Sequence, residues 1–454
     1  MTTFNVANTS ALDTALKAAK GGDTILLGRG SYDLTARGLD IAGGLTIASA
    51  DPARPAVITT LSIIDSSGLT IRDLEFAAPR AAGDNPFRVT RSEDIHFLRL
   101  DVHGSLNGDP RGDPMGLLIS ESRSVSVRDS EFQDLGYGIA HLNSNGVTIA
   151  DNEFHHLQVD GVRGGGSSNV TITGNLFRDF FPVRGDHPDA IQFWTTNTDA
   201  SARNIVITDN AFVRGDGAAV QGIFLRDQVG DLPYESVVIS GNVVAGGAFN
   251  GVMVNHGRDV TITDNLVQGF ADKTSWIRLE KVQGATVTDN RATDLIIEGS
   301  RNVTTANNRV IERADDDGAW ALSQWRREDP ADIVDQRLVG GADGDHLVGG
   351  AGADRIQGRG GDDTLAGGAG DDLLRGGRGA DQFVFEPGDG HDRVLDFGPG
   401  DIIDVQALQA AGLRAKMAME RGDLVLRFGD ESSVTLVGIR PDDLQPTAAG
   451  WVFA

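Results

Sequence analysis

One phrase recurs along this chain, reading GLTIRDLEF at residue 68, SVSVRDSEF at 124, GVTIADNEF at 146, NVTITGNLF at 169, NIVITDNAF at 204, SVVISGNVV at 236, DVTITDNLV at 259 and GATVTDNRA at 284. From the copy at 124 onward the spacing is about 22 to 35 residues, the signature of a solenoid in which each repeat buries its apolar face only against its neighbours. Within each copy, alternating β-branched residues lead into a polar turn and a further apolar pair, so each copy reads as strand, corner, strand. Asn152, Asn175, Asn210, Asn242, Asn265 and Asn290 hold the same place in the phrase. In stacked copies their amides are expected to form a hydrogen-bonded ladder.

A second strand precedes the phrases: GLLIS at 116, GIAHL at 138, GVRGG at 161, AIQFW at 190, GIFLR at 222, GVMVN at 251 and WIRLE at 276. Three short parallel strands per turn make an all-β fold, a right-handed parallel β-helix. Longer stretches at 103–114, 178–189 and 227–235 read as loops on one face. An amphipathic helix with an N-cap serine, SALDTALKAAK, carries Leu12, Ala15, Leu16 and Ala19 and is expected to cap the first coil. The strand period lapses after residue 312, so the expected organisation is a β-helix over 1–312, a closing segment and linker over 313–339, and a further unit over 340–454.

That last unit begins with five nines: GGADGDHLV, GGAGADRIQ, GRGGDDTLA, GGAGDDLLR and GGRGADQFV. They follow the glycine-rich nonapeptide whose turns bind calcium in a parallel β-roll, and depart from it at Asp343 and Arg359. Asp345, Asp354, Asp363, Asp372 and Asp381 supply a carboxylate every nine residues and are the expected calcium ligands. A flexible glycine linker would not keep Leu347, Ile356, Leu365, Leu374 and Phe383 at the eighth position. This block, with the tail GHDRVLDFGPGDIIDVQAL and the ending GWVFA, resembles the repeats-in-toxin proteins. The resemblance implies calcium as cofactor and export to the cell exterior by the type I secretion apparatus.

Composition agrees with that expectation. The chain has no cysteine, so disulfides and zinc-thiolate sites are excluded. Its first residues lack a charged and apolar signal peptide, and no apolar run is long enough for a bilayer, so no membrane insertion is expected. A net charge of −25 argues against nucleic acid as a partner, while leaving room for a local basic groove that holds an acidic polymer. The capped solenoid suggests a monomer.

Alternation places Ile139, Val162, Ile191, Ile223, Val252 and Ile277 in the core. Their neighbours form an outward row: Arg163, then Gln192 with Trp194, Phe224 with Arg226, Met253 with Asn255, and Arg278 with Glu280. Asp227, His256 and Lys281 come at the strand ends, and the stretch GDHPDAIQFW puts Asp186, His187 and Asp189 at the rim of the same row. Trp194 is expected as a sugar platform.

The arrangement resembles the right-handed β-helix enzymes of acidic polysaccharides, and a β-helix followed by a calcium roll is similar to secreted alginate epimerases and some polysaccharide lyases. The catalytic phrase of the epimerases is not intact here. The resemblance implies that Arg226 or Arg278 neutralises a uronate carboxylate and His256 or Lys281 abstracts the neighbouring proton. Expulsion of the glycosidic oxygen makes a lyase, and return of the proton to the other face an epimerase. HPDAI, NHG and WIRLEK also occur in the order of the short motifs of polygalacturonase-like hydrolases, whose doubled aspartate is missing here. On that reading Asp189 with Asp227, or Asp186 with Asp189, are acid and base. A third reading is a non-catalytic polysaccharide-binding protein.

Overall fold

In the computed structural model the described residues are 1–77, 85–314, 318–325, 337–341, 344–351, 354–420, 422–428, 432–447 and 449–453. Asp343 and much of the expected linker, 315–317 and 326–336, lie outside them. The chain divides into two compact units, Met1–Arg327 and Glu328–Ala454.

The first unit is a parallel β-helix, in which 32 strands among the described residues join in one continuous ladder. Strict register carries each position up the stack: Ile139 pairs with Val162, Val162 with Ile191, Ile191 with Ile223, Ile223 with Val252 and Val252 with Ile277. All six are buried, as alternation requires. Like packs on like inside the coil, most visibly where Phe132, Phe154 and Phe177 stack with centroids 5.0 and 4.8 Å apart.

The corners explain the wording of the repeat. The residue before each ladder asparagine takes a left-handed backbone, with φ of 57° at Asp151, 65° at Gly174, 54° at Asp209, 68° at Gly241, 55° at Asp264 and 60° at Asp289. Glycine and, among the rest, Asp or Asn tolerate that region best, which accounts for the alternation of DN and GN in the phrase. From Asn175 onward, each asparagine Oδ1 accepts from the backbone N–H of the ladder asparagine one coil earlier at 3.0 Å, and Asn152 Oδ1 accepts from Ser130 N at 3.0 Å. A second ladder, not anticipated, runs through Ser66, Ser92, Ser122, Ser144 and Ser167, each hydroxyl accepting from the preceding serine's N–H at 3.0 to 3.2 Å.

The N-terminal helix spans Thr9–Ala18 and buries Leu12, Ala15 and Leu16. Its cap is Asn8, whose Oδ1 accepts from Ala11 N at 2.9 Å, rather than Ser10 as the sequence suggested. The expected loops begin and end differently as well. Leu176–Phe180 and Tyr234–Ser240 are strands, which trims the second and third loops to 181–188 and 227–233. The stretch read as linker contains a helix, Ala319–Trp325, whose Ala321 is fully buried with Val213, Val243, Ala245, Leu266 and Phe270 on a flank of the β-helix.

The second unit is a β-roll of two strand stacks in which residues pair 18 apart, His346 with Thr364 and Arg355 with Leu373. Ile356, Leu365, Leu374 and Phe383 point into its core, and Leu347 is packed against it. Antiparallel strands over Lys416–Glu420, Asp423–Arg427 and Ser433–Leu436 continue one of the stacks. Among the described residues no helix is long and apolar enough to cross a membrane.

Candidate active site

The strands Val162–Gly165, Asp189–Trp194, Gln221–Arg226, Phe249–Asn255 and Ser275–Glu280 lie side by side in one sheet of the β-helix. Register aligns Arg163, Gln192, Phe224, Met253 and Arg278 in one outward row, and Trp194, Arg226, Asn255 and Glu280 in a second. Phe224 and Met253 are nonetheless buried, and the His187 ring packs 5.3 Å from that of Phe224. The 181–188 loop therefore folds back over part of this face.

At the C-terminal edge of the sheet, Asp227 is the organising residue. Its carboxylate accepts from Thr195 Oγ1 at 2.6 Å, from the backbone N–H of Val229, Gly230 and Leu232 at 2.9 to 3.1 Å, and from His256 Nδ1 at 2.5 Å. Burial alone would raise its pKa, but these bonds outweigh it and hold the carboxyl at about 2. An ionised Asp227 fixes the imidazole with its proton on Nδ1, so Nε2 is the nitrogen left to accept one. His256 and Lys281 sit at equivalent left-handed corners of successive coils, φ 60° and 56°, which turns both out of the strand row. They line a cavity of about 340 Å³ with Asp227, Asn255, Gln283 and Arg301. Arg226 is exposed beside it, in register with Trp194 and Asn255. The edge is thus rich in cationic side chains on a strongly acidic chain.

At the opposite edge Asp189 is fully buried. Its Oδ2 accepts from His187 Nδ1 at 3.1 Å and Gln192 Nε2 at 2.5 Å, while Oδ1 has no hydrogen-bond partner. Asp160, which the sequence reading did not single out, stacks one coil below and accepts from the Asp189 N–H at 3.0 Å. Burial, followed by the charge of Asp189, raises the Asp160 carboxyl to about 7. Burial raises Asp189 as well, and its hydrogen bond to Asp189 raises His187.

The structure separates several residues that the sequence grouped. Asp189 pairs with Gln221, and Asp227 follows six residues later, so at ~3.3 Å per residue the two carboxylates stand roughly 20 Å apart. An inverting pair needs ~6.5 to 9.5 Å, which removes Asp189 with Asp227 as acid and base. Asp186 accepts from Gln158 Nε2 and from Val183 N, and so fastens its own loop. The Arg278 guanidinium lies 2.8 Å from Glu298 and 3.7 Å from Glu280, so its charge is already met, and Arg226 is the better placed of the two arginines. Trp194 lies over Gly165, where a Cβ would come within 2.9 Å of the indole nitrogen. The Arg163 guanidinium stands 4.9 Å from its ring and 5.4 Å from that of Tyr137. One face of the expected sugar platform is therefore taken by an arginine.

In the β-roll, Asp363, Asp372 and Asp381 each give one oxygen to the backbone N–H of the aspartate one turn below, at 2.7 to 2.9 Å. Their Oδ2 atoms are buried with no hydrogen-bond partner. A Cβ on Gly358, Gly367 or Gly376 would come within 1.9 to 2.2 Å of those same oxygens, so the glycines keep the cradle open. Stacked hard oxygens beside bare glycine carbonyls fit calcium, held by Asp363, Asp372 and Asp381 with Asp354 and Asp345 in series. Asp392 and Asp401 extend the column, accepting from Asp372 N and Asp381 N. Arg359 pairs with Gly377 and holds φ 79°, a glycine-like conformation at the point where the repeat departs from its pattern.

Comparison with known proteins agrees with both units. Residues 115–277 match the family model described as the right-handed β-helix region. Residues 339–374 and 357–394 match the RTX calcium-binding nonapeptide repeat. The chain is a right-handed parallel β-helix followed by calcium-binding nonapeptide repeats. No curated protein matches it. Similar solved structures include the GH136 lacto-N-biosidase of Eubacterium ramulus, 12% identical over 68% of each chain with a TM-score of 0.41. The PL6 family alginate lyase AlyGC is 13% identical over 86% of this chain and 73% of its own, TM-score 0.41. The surface adhesin PfbA of Streptococcus pneumoniae is 14% identical over 67% and 87%, TM-score 0.39. At these values the likeness carries no argument about chemistry.

Proposed function

We propose that this chain is an enzyme of uronate-containing polysaccharides, exported by type I secretion, that removes the proton beside the sugar carboxylate. The observation that carries this reading is the Asp227–His256 pair at 2.5 Å, set in a cavity that Lys281 and Arg301 also line. Arg226 and Lys281 neutralise the carboxylate and make the adjacent carbon acid enough to lose its proton, which His256 Nε2 accepts. The electron pair of the broken C–H bond forms the new carbon–carbon double bond as the glycosidic C–O bond breaks, and the Lys281 ammonium donates one of its own protons to the leaving oxygen, the pair being reset when His256 releases the abstracted proton and Lys281 regains one from water. Reprotonation of the same carbon from the other face would give the carbon-five epimer instead. Calcium held by the nonapeptide turns would stabilise the fold of the second unit outside the cell.

The Asp160–Asp189 pair favours a second reading, hydrolysis, because buried paired carboxylates pushed toward neutral pH are suited to acid and base roles. Incubation of the purified chain in millimolar calcium with alginate, pectate and glucuronate-containing gums separates the two. Elimination raises ultraviolet absorbance together with reducing ends. Hydrolysis raises reducing ends alone and overturns the first reading.

A further inference from the structure

Phe249 is a large apolar side chain that remains half exposed, at 50%, at the start of the strand Phe249–Asn255. Its backbone is left-handed, φ 54°, a conformation unfavourable for an aromatic residue that persists where the surroundings enforce it. The register of its strand against Ser275–Glu280 slips immediately afterwards, between Asn250 and Val252. Irregularities of this kind re-aim side chains and concentrate next to functional sites. Here the irregularity brings the Phe249 ring to 5.6 Å from Trp276, at 47°. Lys273 Nζ stands 5.5 Å from the Phe249 ring. The neighbouring Asp272 is bound to Arg214 through both oxygens, at 2.8 and 2.9 Å.

A chain of hydrogen bonds joins this spot to the buried carboxylates. Trp276 Nε1 donates to Asn250 Oδ1 at 2.9 Å, Asn250 Nδ2 donates to Gln221 Oε1, Gln221 Nε2 donates to His187 Nε2 at 2.8 Å, and His187 Nδ1 donates to Asp189 at 3.1 Å. An indole N–H can only donate, so it fixes the direction of both amides and leaves His187 Nε2 as an acceptor. The aromatic pair is therefore held in place by four successive coils.

We infer that Phe249, Trp276 and Lys273 form a binding subsite for one uronate residue of an acidic polysaccharide. The polarised C–H face of a pyranose packs on the electron-rich aromatic faces, and the ammonium meets the carboxylate. The inference rests on the acidic-polysaccharide reading above, and the experiment separates the two.

Calorimetry on the full chain in calcium would compare defined oligouronates with neutral oligosaccharides of equal length. Phe249→Ala is expected to weaken oligouronate binding about tenfold, the scale of one aromatic contact. Phe249→Tyr, which keeps the ring, retains affinity. Lys273→Met weakens only the charged ligand. Both Phe249 and Lys273 are exposed, so their variants should melt as the parent does. Oligouronate binding that is unchanged in Phe249→Ala and Lys273→Met overturns the subsite and leaves the substrate class standing. A parent chain that binds no oligouronate overturns both.

Discussion

At the scale of single residues, two of the buried carboxylates, Asp227 and Asp160, are held with opposite consequences. Asp227 is ionised because five hydrogen bonds, one from His256, converge on it. Asp160, buried and with a carboxylate for a neighbour, keeps its proton to about 7. Its pKa is raised on folding, so between the ordinary carboxyl value of 3.8 and about 7 the folded chain holds a proton that the unfolded chain has lost. Stability then falls as pH rises across that window, by about 1.4 kcal/mol per pH unit at most. Asp160→Asn keeps the oxygen that accepts from Asp189 and removes the titration. Its melting temperature should exceed the parent's at pH 8, and the difference should shrink toward pH 4; parallel melting curves across the range would refute this. Sequence did not expose Asp160, since a lone VDG reads as a corner, and its partner lies 29 residues away across a loop whose length hides the register. It did expose His256 and Asp227, because each ends a strand of the repeat. The pairing of Arg278 with Glu298 was invisible because that partner belongs to the next, weaker coil.

At the scale of elements, the repeat phrase was almost fully legible because every position in it answers one physical demand. The β-branched alternation faces the core, the Asp or Gly takes the left-handed corner, and the Asn bridges coils. Asn210 shows how much one such position carries: its Oδ1 accepts from both the backbone and the side chain of Asn175, and its Nδ2 donates to Ile172, Thr208 and Asn242. Asn210→Ala leaves several of these groups buried without partners and should cost about 3 kcal/mol, read from the urea midpoint of the first unit. Asn145→Ala, in the exposed pair with Asn169, should cost under about 0.5 kcal/mol. Equal effects would mean that the ladder does not couple the coils. The serine ladder escaped notice because serine is common at any corner and no flanking residue marks it. The helical cap was found but its first residue was not: Asn8 and Ser10 are both good caps, and only the path of the chain decides between them.

At the scale of the whole molecule, a β-helix and a calcium roll are each stabilised by stacking, but the roll repeats a buried carboxylate on turn after turn of one column. Removing calcium with a chelator should abolish the roll's contribution to circular dichroism and expose its core, while the Asn and Ser ladders keep Met1–Arg327 folded. Simultaneous loss of both units on chelation would contradict that division. The proposed chemistry belongs to the first unit, where the strand ends of three coils bring Asp227, His256 and Lys281 to one cavity. The most direct test of that claim is the initial rate of uronate elimination or epimerisation by the parent, Asp227→Asn and His256→Ala, all in calcium and all with matched circular dichroism. A loss of at least about a hundredfold is expected in both variants, the usual worth of a positioned base. Full activity in His256→Ala would remove this cavity as the site of proton abstraction.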